Sequence, residues 1–186
     1  MPKPDRKRPA PATDEPARPR TVRPIVSSRH LSQLAPELSE FEFGLITASH
    51  AFERWMVCCM GASGHKNFGP LDVLVLHSVN HRDRSKSLND ICLVLNVADA
   101  HTVTYALRKL IKAGLVSRER QRKEFLYTTT TAGRALCEKY REVREDCLVS
   151  SIRSIGVPKE EISRIADVLR ALSGLYDQAA RAAASL

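Results

Sequence analysis

The sequence predicts a mainly α-helical fold with one small β-hairpin, organised around a helix-turn-helix with longer helices on either side. Three observations lead there. Residues 98–127, ADAHTVTYALRKLIKAGLVSRERQRKEFLY, read as an amphipathic helix that stops at a glycine and runs straight into a short, very basic hairpin. A second short helix at about 87–95 precedes it across a tight turn, the spacing of a helix-turn-helix. Aromatic residues make up only 5% of the chain, which favours an aliphatic helical core over a β-sandwich.

Each element follows from local chemistry. Residues 1–35 form a leader that should be disordered. Its first 30 residues hold eight Lys/Arg against three acids, together with seven of the ten prolines, too little apolar surface to fold alone. After Pro36, a helix over about 37–60 shows Leu38, Phe41, Leu45, Ala48, Phe52, Trp55, Met56 and Cys59 at spacings of three and four. GASGHKNFGP interrupts it. A second helix covers 70–80. The third, at 87–95, has Ser87 as its N-cap and Asp90 three positions on, a carboxylate variant of the capping box. In the fourth, Val103, Ala106, Leu107, Leu110 and Ile111 share one face, while His101, Tyr105, Arg108 and Lys112 form the opposite stripe. Gly114 ends it, and Leu115-Val116 enter the hairpin that carries Arg118, Arg120, Arg122 and Lys123. Long helices over about 131–154 and 158–183 follow, broken between them by Gly156 and Pro158. The outer helices display more apolar surface than a small central module covers, so a homodimer is expected.

Composition excludes several classes. Hydrophobic content of 43% without an apolar run near 18–20 residues argues against a membrane span. The basic N-terminus lacks the apolar stretch of a secretory signal. Five cysteines, an odd number with no CxxC, suit a reducing compartment, so a cytoplasmic protein is expected. No P-loop, Rossmann glycine fingerprint, nucleophile elbow or HExxH is present, so neither catalytic residues nor a cofactor is expected. His77 and His81 stand four apart with His65 upstream, but no further ligands complete a zinc set, and no metal site is expected.

The run Thr102-Val103-Thr104, Leu107, Leu110, Ala113-Gly114-Leu115-Val116 and Arg118, followed by Thr129-Thr130-Thr131-Ala132-Gly133-Arg134, resembles the recognition-helix, strand and helix-entry pattern of MarR-type winged-helix regulators over about 37–180. The resemblance implies a winged helix-turn-helix at 70–130, within one domain at 36–186. It implies N- and C-terminal dimerisation helices at 37–60 and 131–183. It further implies a dimeric bacterial transcription regulator, most often a repressor of a pseudo-palindromic operator, released from DNA by a small phenolic ligand, cysteine oxidation or metal. The wing departs from that pattern. Its tip, Gln121-Arg122-Lys123-Glu124, lacks the family's Asp-x-Arg, so Arg122, or else Lys123, would take the minor-groove role.

Double-stranded DNA is thus the expected partner. Side chains at a helix start reach deepest into the major groove, which makes His101, Thr102 and Tyr105 candidates for base contacts. Arg108 could read a guanine or sit over the backbone. Thr104, Lys109 and Lys112 are placed on phosphates, and Ser87 could present its helix N-terminus to one. Arg118, Arg120, Arg122 and Lys123 supply the wing. For signal sensing the candidates are Cys58, Cys59, His50 and Trp55, with Arg54 one helical turn from Cys58; buried, inert cysteine is the plainer alternative. A small-molecule effector is the other candidate signal. The rival reading of the chain is a winged-helix protein-interaction module whose basic hairpin is merely solvated.

Overall fold

The computed structural model describes residues 34–154 and 156–186, so the expectations for the leader up to residue 33 lie outside the described residues. Its helices are α1 (Pro36–Ala62), α2 (Pro70–Asn80), α3 (Leu88–Leu95), α4 (Ala100–Lys112), α5 (Thr131–Arg144), α6 (Ser150–Ser154) and α7 (Lys159–Ala183). Three strands, β1 (Lys86–Ser87), β2 (Val116–Gln121) and β3 (Glu124–Thr129), form an antiparallel sheet in the order β1-β3-β2. By its internal contacts the chain divides into two units, Met1–Ala48 and Ser49–Leu186.

Within the first unit, α1 opens at Pro36, a residue suited to a first helical turn, with Glu37 beside it at the positive end of the helix dipole. Ser39 therefore lies inside the helix. Of the apolar face expected here, Leu38, Leu45 and Ala48 are exposed and Phe41 is half-buried, so it has little cover, and Phe43 and Ile46, off that face, are exposed as well.

The second unit holds the core. Met56, Met60, Val73, Val75, Leu76 and Val79 of α1 and α2 pack with Ile91, Val103, Leu107 and Leu110 of α3 and α4, each at most 3% exposed. The expected faces of α3 and α4 are thus the buried ones: Ile91 is enclosed, Leu88, Cys92 and Leu95 lean on the core, and Ile111 sits at its margin. Both reciprocal bonds of the α3 capping box form, Asp90 N–H to Ser87 Oγ at 3.1 Å and Ser87 N–H to Asp90 Oδ2 at 2.9 Å.

The strand β1 was not expected. HRDRSKS reads as a polar loop, yet Lys86 and Ser87 pair with Tyr127 and Leu126 of β3. Lys86 is 4% exposed, and its ammonium donates to the carbonyls of Val79, His81 and Arg84. Those carbonyls lie at and just beyond the end of α2, where backbone acceptors lack helical partners and a cation is favoured. A lysine in a polar run thus becomes an interior cap, because the acceptors it satisfies belong to another element.

Helix α4 ends as the glycine indicates. Gly114 adopts φ +72°, and the N–H groups of Gly114 and Leu115 close on the carbonyls of Ile111 and Leu110. The chain then enters β2, whose register with β3 runs from Val116↔Thr129 to Gln121↔Glu124. Only Arg122 and Lys123 remain for the turn, and Arg122 takes φ +56°, a left-handed conformation uncommon for a side chain other than glycine. The shortened wing is therefore a tight hairpin.

The Thr-Thr-Ala-Gly-Arg entry to α5 has a packing reason. Thr130 caps the helix, accepting from Gly133 N–H at 3.1 Å and donating to the Gly114 carbonyl at 2.7 Å. A Cβ on Gly133 would stand 2.1 Å from the Leu115 carbonyl oxygen, so only glycine allows this approach. Arg134 donates to the Thr129 carbonyl at 2.8 Å. The single helix expected over 131–154 carries a π-type turn at Glu145–Val149 between α5 and α6. Leu136 and Tyr140 are buried as their spacing suggests, but Cys147, within the π turn, is exposed.

Helix α7 buries none of its residues. Ile162, Ile165, Leu169 and Leu175, which form its apolar row with Ala166, Leu172 and Tyr176, are 37–60% exposed. It meets the helix-turn-helix at Asn96, the left-handed C-cap of α3, whose amide donates to Ser173 Oγ at 3.2 Å and Asp177 Oδ2 at 3.4 Å.

Candidate nucleic-acid interface

The start of α4 is set by Asp99, whose carboxylate accepts from His101 N–H at 2.9 Å. Thr102 Oγ1 donates to the Asp99 carbonyl at 2.7 Å, and Thr104 Oγ1 to that of Ala100 at 2.8 Å. Both hydroxyls give their protons to the helix and keep lone pairs, so they face a ligand as acceptors and through their methyl groups. His101, Thr102, Tyr105, Arg108 and Lys112 are exposed; Tyr105, at 69%, is the most open aromatic of the head. The opposite face, Val103, Ala106, Leu107 and Leu110, is at most 1% exposed, so the helix is anchored on one side and open on the other.

Beside it the hairpin is solvated from Ser117 to Phe125. Arg118 and Arg120, two apart, share one face of β2, while Glu119 points the other way. The Arg118 guanidinium lies 4.7 Å from the centre of the Phe125 ring, which steadies a long side chain on an exposed strand. Arg122 and Lys123 occupy the tip. The region thus brings a row of polar side chains and a cationic hairpin to adjacent, open positions.

Two candidates are committed elsewhere. Ser87 is half-buried, with its hydroxyl accepting from Asp90 N–H, and Asp90 occupies the same helix start with a carboxylate, held below its ordinary value by hydrogen bonds to Ser87. That negative group disfavours a phosphate there. The Lys109 ammonium lies 2.6 Å from Asp72 Oδ2 and 5.4 Å from the centre of the Phe68 ring. Asp72, buried at the third position of α2, also accepts from Gly69 N–H at 2.8 Å. Sequence reading missed this residue, although Gly-Pro-x-Asp is the expected pattern of a helix start with an acid in its first turn.

The four sensing candidates separate. Cys58 and His50 are exposed and line an open hollow of about 460 Å³ with Arg54 and Pro70. Cys59 is 1% exposed, its thiol directed to the Tyr140 carbonyl at 3.6 Å, and burial pushes its pKa up, which lowers the thiolate fraction at neutral pH. Trp55 belongs instead to a cavity of about 490 Å³ between the second half of α1, α2 and α5.

Leu74, His77, Tyr140, Arg141 and Arg144 also line that cavity. Two of its polar atoms, Trp55 Nε1 and His77 Nε2, are buried without a hydrogen-bond partner. His77 stands edge-on to Tyr140 at 4.6 Å, and burial pulls its imidazole pKa below the ordinary 6.5. Tyr140 is pushed up to about 12, first by burial and then by Cys59. In the sequence, His77 stands out only for its metal-ligand spacing with His81, with a surface histidine as the plainer expectation, and Tyr140 only as part of an apolar row. The ring nitrogen of His77 is instead buried.

Among the described residues no group of three or more His, Cys, Asp and Glu stands together as a metal site, and no helix is long and apolar enough to cross a membrane.

Residues 68–133 match the family model described as a winged helix DNA-binding domain. No curated protein sequence matches the chain. Among solved structures, a MarR-family transcriptional regulator from Rhodococcus sp. RHA1 is similar at 16% identity and a TM-score of 0.60, over 76% of this chain and 96% of that one. A mutant MarR from E. coli complexed with operator DNA is similar at 19% identity and a TM-score of 0.60, over 76% and 99%. CouR from Rhodococcus jostii RHA1, bound to p-coumaroyl-CoA, is similar at 15% identity and a TM-score of 0.57, over 72% and 91%. The chain therefore carries a winged helix DNA-binding domain at residues 68–133, set in the fold of the MarR-family transcriptional regulators.

Proposed function

We propose that this protein is a transcription regulator that binds a pseudo-palindromic operator as a homodimer and acts as a repressor. The observation that carries the reading is the asymmetry of α4: one face is locked into the core, and the other offers His101, Thr102, Tyr105 and Arg108 next to an exposed arginine hairpin. A helix of about three and a half turns fits a major groove, and a cationic hairpin beside it grips phosphate or the minor groove. Thr102 and Tyr105 then read base edges near the helix start, Arg108 and Lys112 lie further along, and Arg122 leads the wing. The similarity to a MarR held on operator DNA supports this assignment.

The homodimer is supported by the apolar rows of α1 and α7, which stay exposed in a single chain. Two copies joined through such helices would present two reading heads about one DNA turn apart. Release by a small molecule is supported by the Trp55–His77 cavity, with its two unsatisfied nitrogens and two arginines, and by the ligand-bound relative CouR. Oxidation at Cys58 is the second candidate signal, supported by its exposure alone.

The test is selection of bound fragments from the source genome, followed by footprinting of the best one. A protected site with two related half-sites about one turn apart is expected. Uniform binding to all fragments, or none, would favour the protein-interaction module.

A further inference from the structure

Asp72 and Lys109 tie the beginning of α2 to the middle of the reading helix. Asp72 Oδ2 receives the Gly69 N–H at 2.8 Å and the Lys109 ammonium at 2.6 Å, and the residue is 6% exposed. Lys109 is further fixed over Phe68, whose ring stacks on His65 at 5.1 Å. One carboxylate thereby closes a helix N-terminus and holds a lysine whose side chain is only 33% exposed.

The same carboxylate borders the reading surface. Asp72, with Gly69 and Pro70, forms one wall of a hollow of about 410 Å³ whose other wall is His101, Thr102 and Tyr105. If His101, Thr102 and Tyr105 meet DNA as proposed, a negative group at this place would face the side from which DNA approaches. Without Lys109 it would repel phosphates and would itself be a buried charge with no counter-charge, held only by the Gly69 N–H.

We propose that the Lys109–Asp72 pair is a positioning device for specific DNA recognition, in which Lys109 masks the Asp72 charge and fixes α4 against α2 and makes no phosphate contact. This rests on the DNA-binding reading above and changes the role that helical spacing gives Lys109. Arg108 and Lys112, both exposed on the same helix, keep the phosphate-facing role. The two roles for Lys109 respond differently when Asp72 is also neutralised. A lysine that gripped phosphate would leave the double variant as weak as the single one. A lysine that masks Asp72 becomes dispensable once that charge is gone.

The experiment measures the affinity of the full chain for its footprinted duplex and for a random-sequence duplex across a salt series. It compares wild type with Lys109→Met, Asp72→Asn, the double variant and Lys109→Arg, and thermal melts confirm that each is folded. Lys109→Met should weaken specific binding on the order of tenfold or more, and Lys109→Arg, which can still pair with the carboxylate, should keep most of it. Asp72→Asn should tighten binding to random DNA while lowering the specific-to-random ratio, and the double variant should recover most of the affinity that Lys109→Met gives up. Lys109→Met and the double variant equally weak, each with a salt slope lower by about one unit, would overturn the proposal and return Lys109 to a phosphate. Equal binding of both duplexes by wild type would instead sink the specific-recognition reading, and this one with it.

Discussion

The reading head and the flanking helices solve the problem of apolar surface differently. In the head, α2, α3, α4 and the sheet close on one another, and Leu76, Ile91, Leu107 and Leu110 are all at most 1% exposed. In α7, a helix of 25 residues, no residue is buried, and Ile165 and Leu175 are 49% and 60% exposed. The first turns of α1 repeat this with Leu38, Phe43 and Ile46. A long amphipathic helix draws its stability from packing its apolar face more than from propensity. The head thus buries its apolar faces within one chain, and the flanks leave theirs exposed.

Core truncation should hit the two regions unequally. Leu110→Ala in the head should cost about 2–5 kcal/mol, read as a lower midpoint in urea at unchanged slope. Leu175→Ala, in a chain kept dilute enough to be monomeric, should change the midpoint little. Equal losses at both positions would erase the distinction.

Charge on the flank should act on assembly. Ile165→Glu with Leu169→Glu puts two carboxylates into the proposed dimer face, at a cost of several kcal/mol per unpaired buried charge. Sedimentation should shift to monomer at micromolar concentration, with the head still folded and operator affinity greatly reduced. A wild type that itself sediments as a monomer would defeat the dimer outright.

Ser87→Ala removes the cap of α3, should cost about 1 kcal/mol, and should loosen the attachment of β1. His77 supplies the smallest effect and a pH dependence. Its folded pKa lies below the ordinary 6.5 because burial disfavours the imidazolium. The unfolded chain thus binds more protons, so stability should fall as pH drops below about 6.5 and level off below the folded pKa. His77→Gln should flatten that part of a stability-against-pH curve.

The head was legible in the sequence because its signals are local. Gly114, the Ser87–Asp90 box and the alternation of faces in α4 each act within one or two turns, and each is found where expected. What escaped was non-local. Lys86 became an interior cap only because α2 ends beside it, and Lys109 met an aspartate 37 positions away. The Trp55–His77–Tyr140 cavity needs three helices to exist at all. Cys58 and Cys59 were both sensing candidates in the sequence, with buried, inert cysteine as the alternative, and the fold separates them: Cys58 is exposed and Cys59 is buried. The row on α7 was legible both as apolar and as more surface than the head could cover, and it stays exposed within the chain.

The central claim is that the open face of α4 and the hairpin read DNA together. The most direct measurement is the salt dependence of binding to the footprinted duplex for wild type, Thr102→Ala with Tyr105→Ala, and Arg122→Ala. The account predicts that the helix double variant loses discrimination between operator and random DNA while keeping the wild-type salt slope. It predicts that Arg122→Ala weakens binding to both and lowers the slope by about one unit. Unchanged affinity, discrimination and slope in both variants would contradict it.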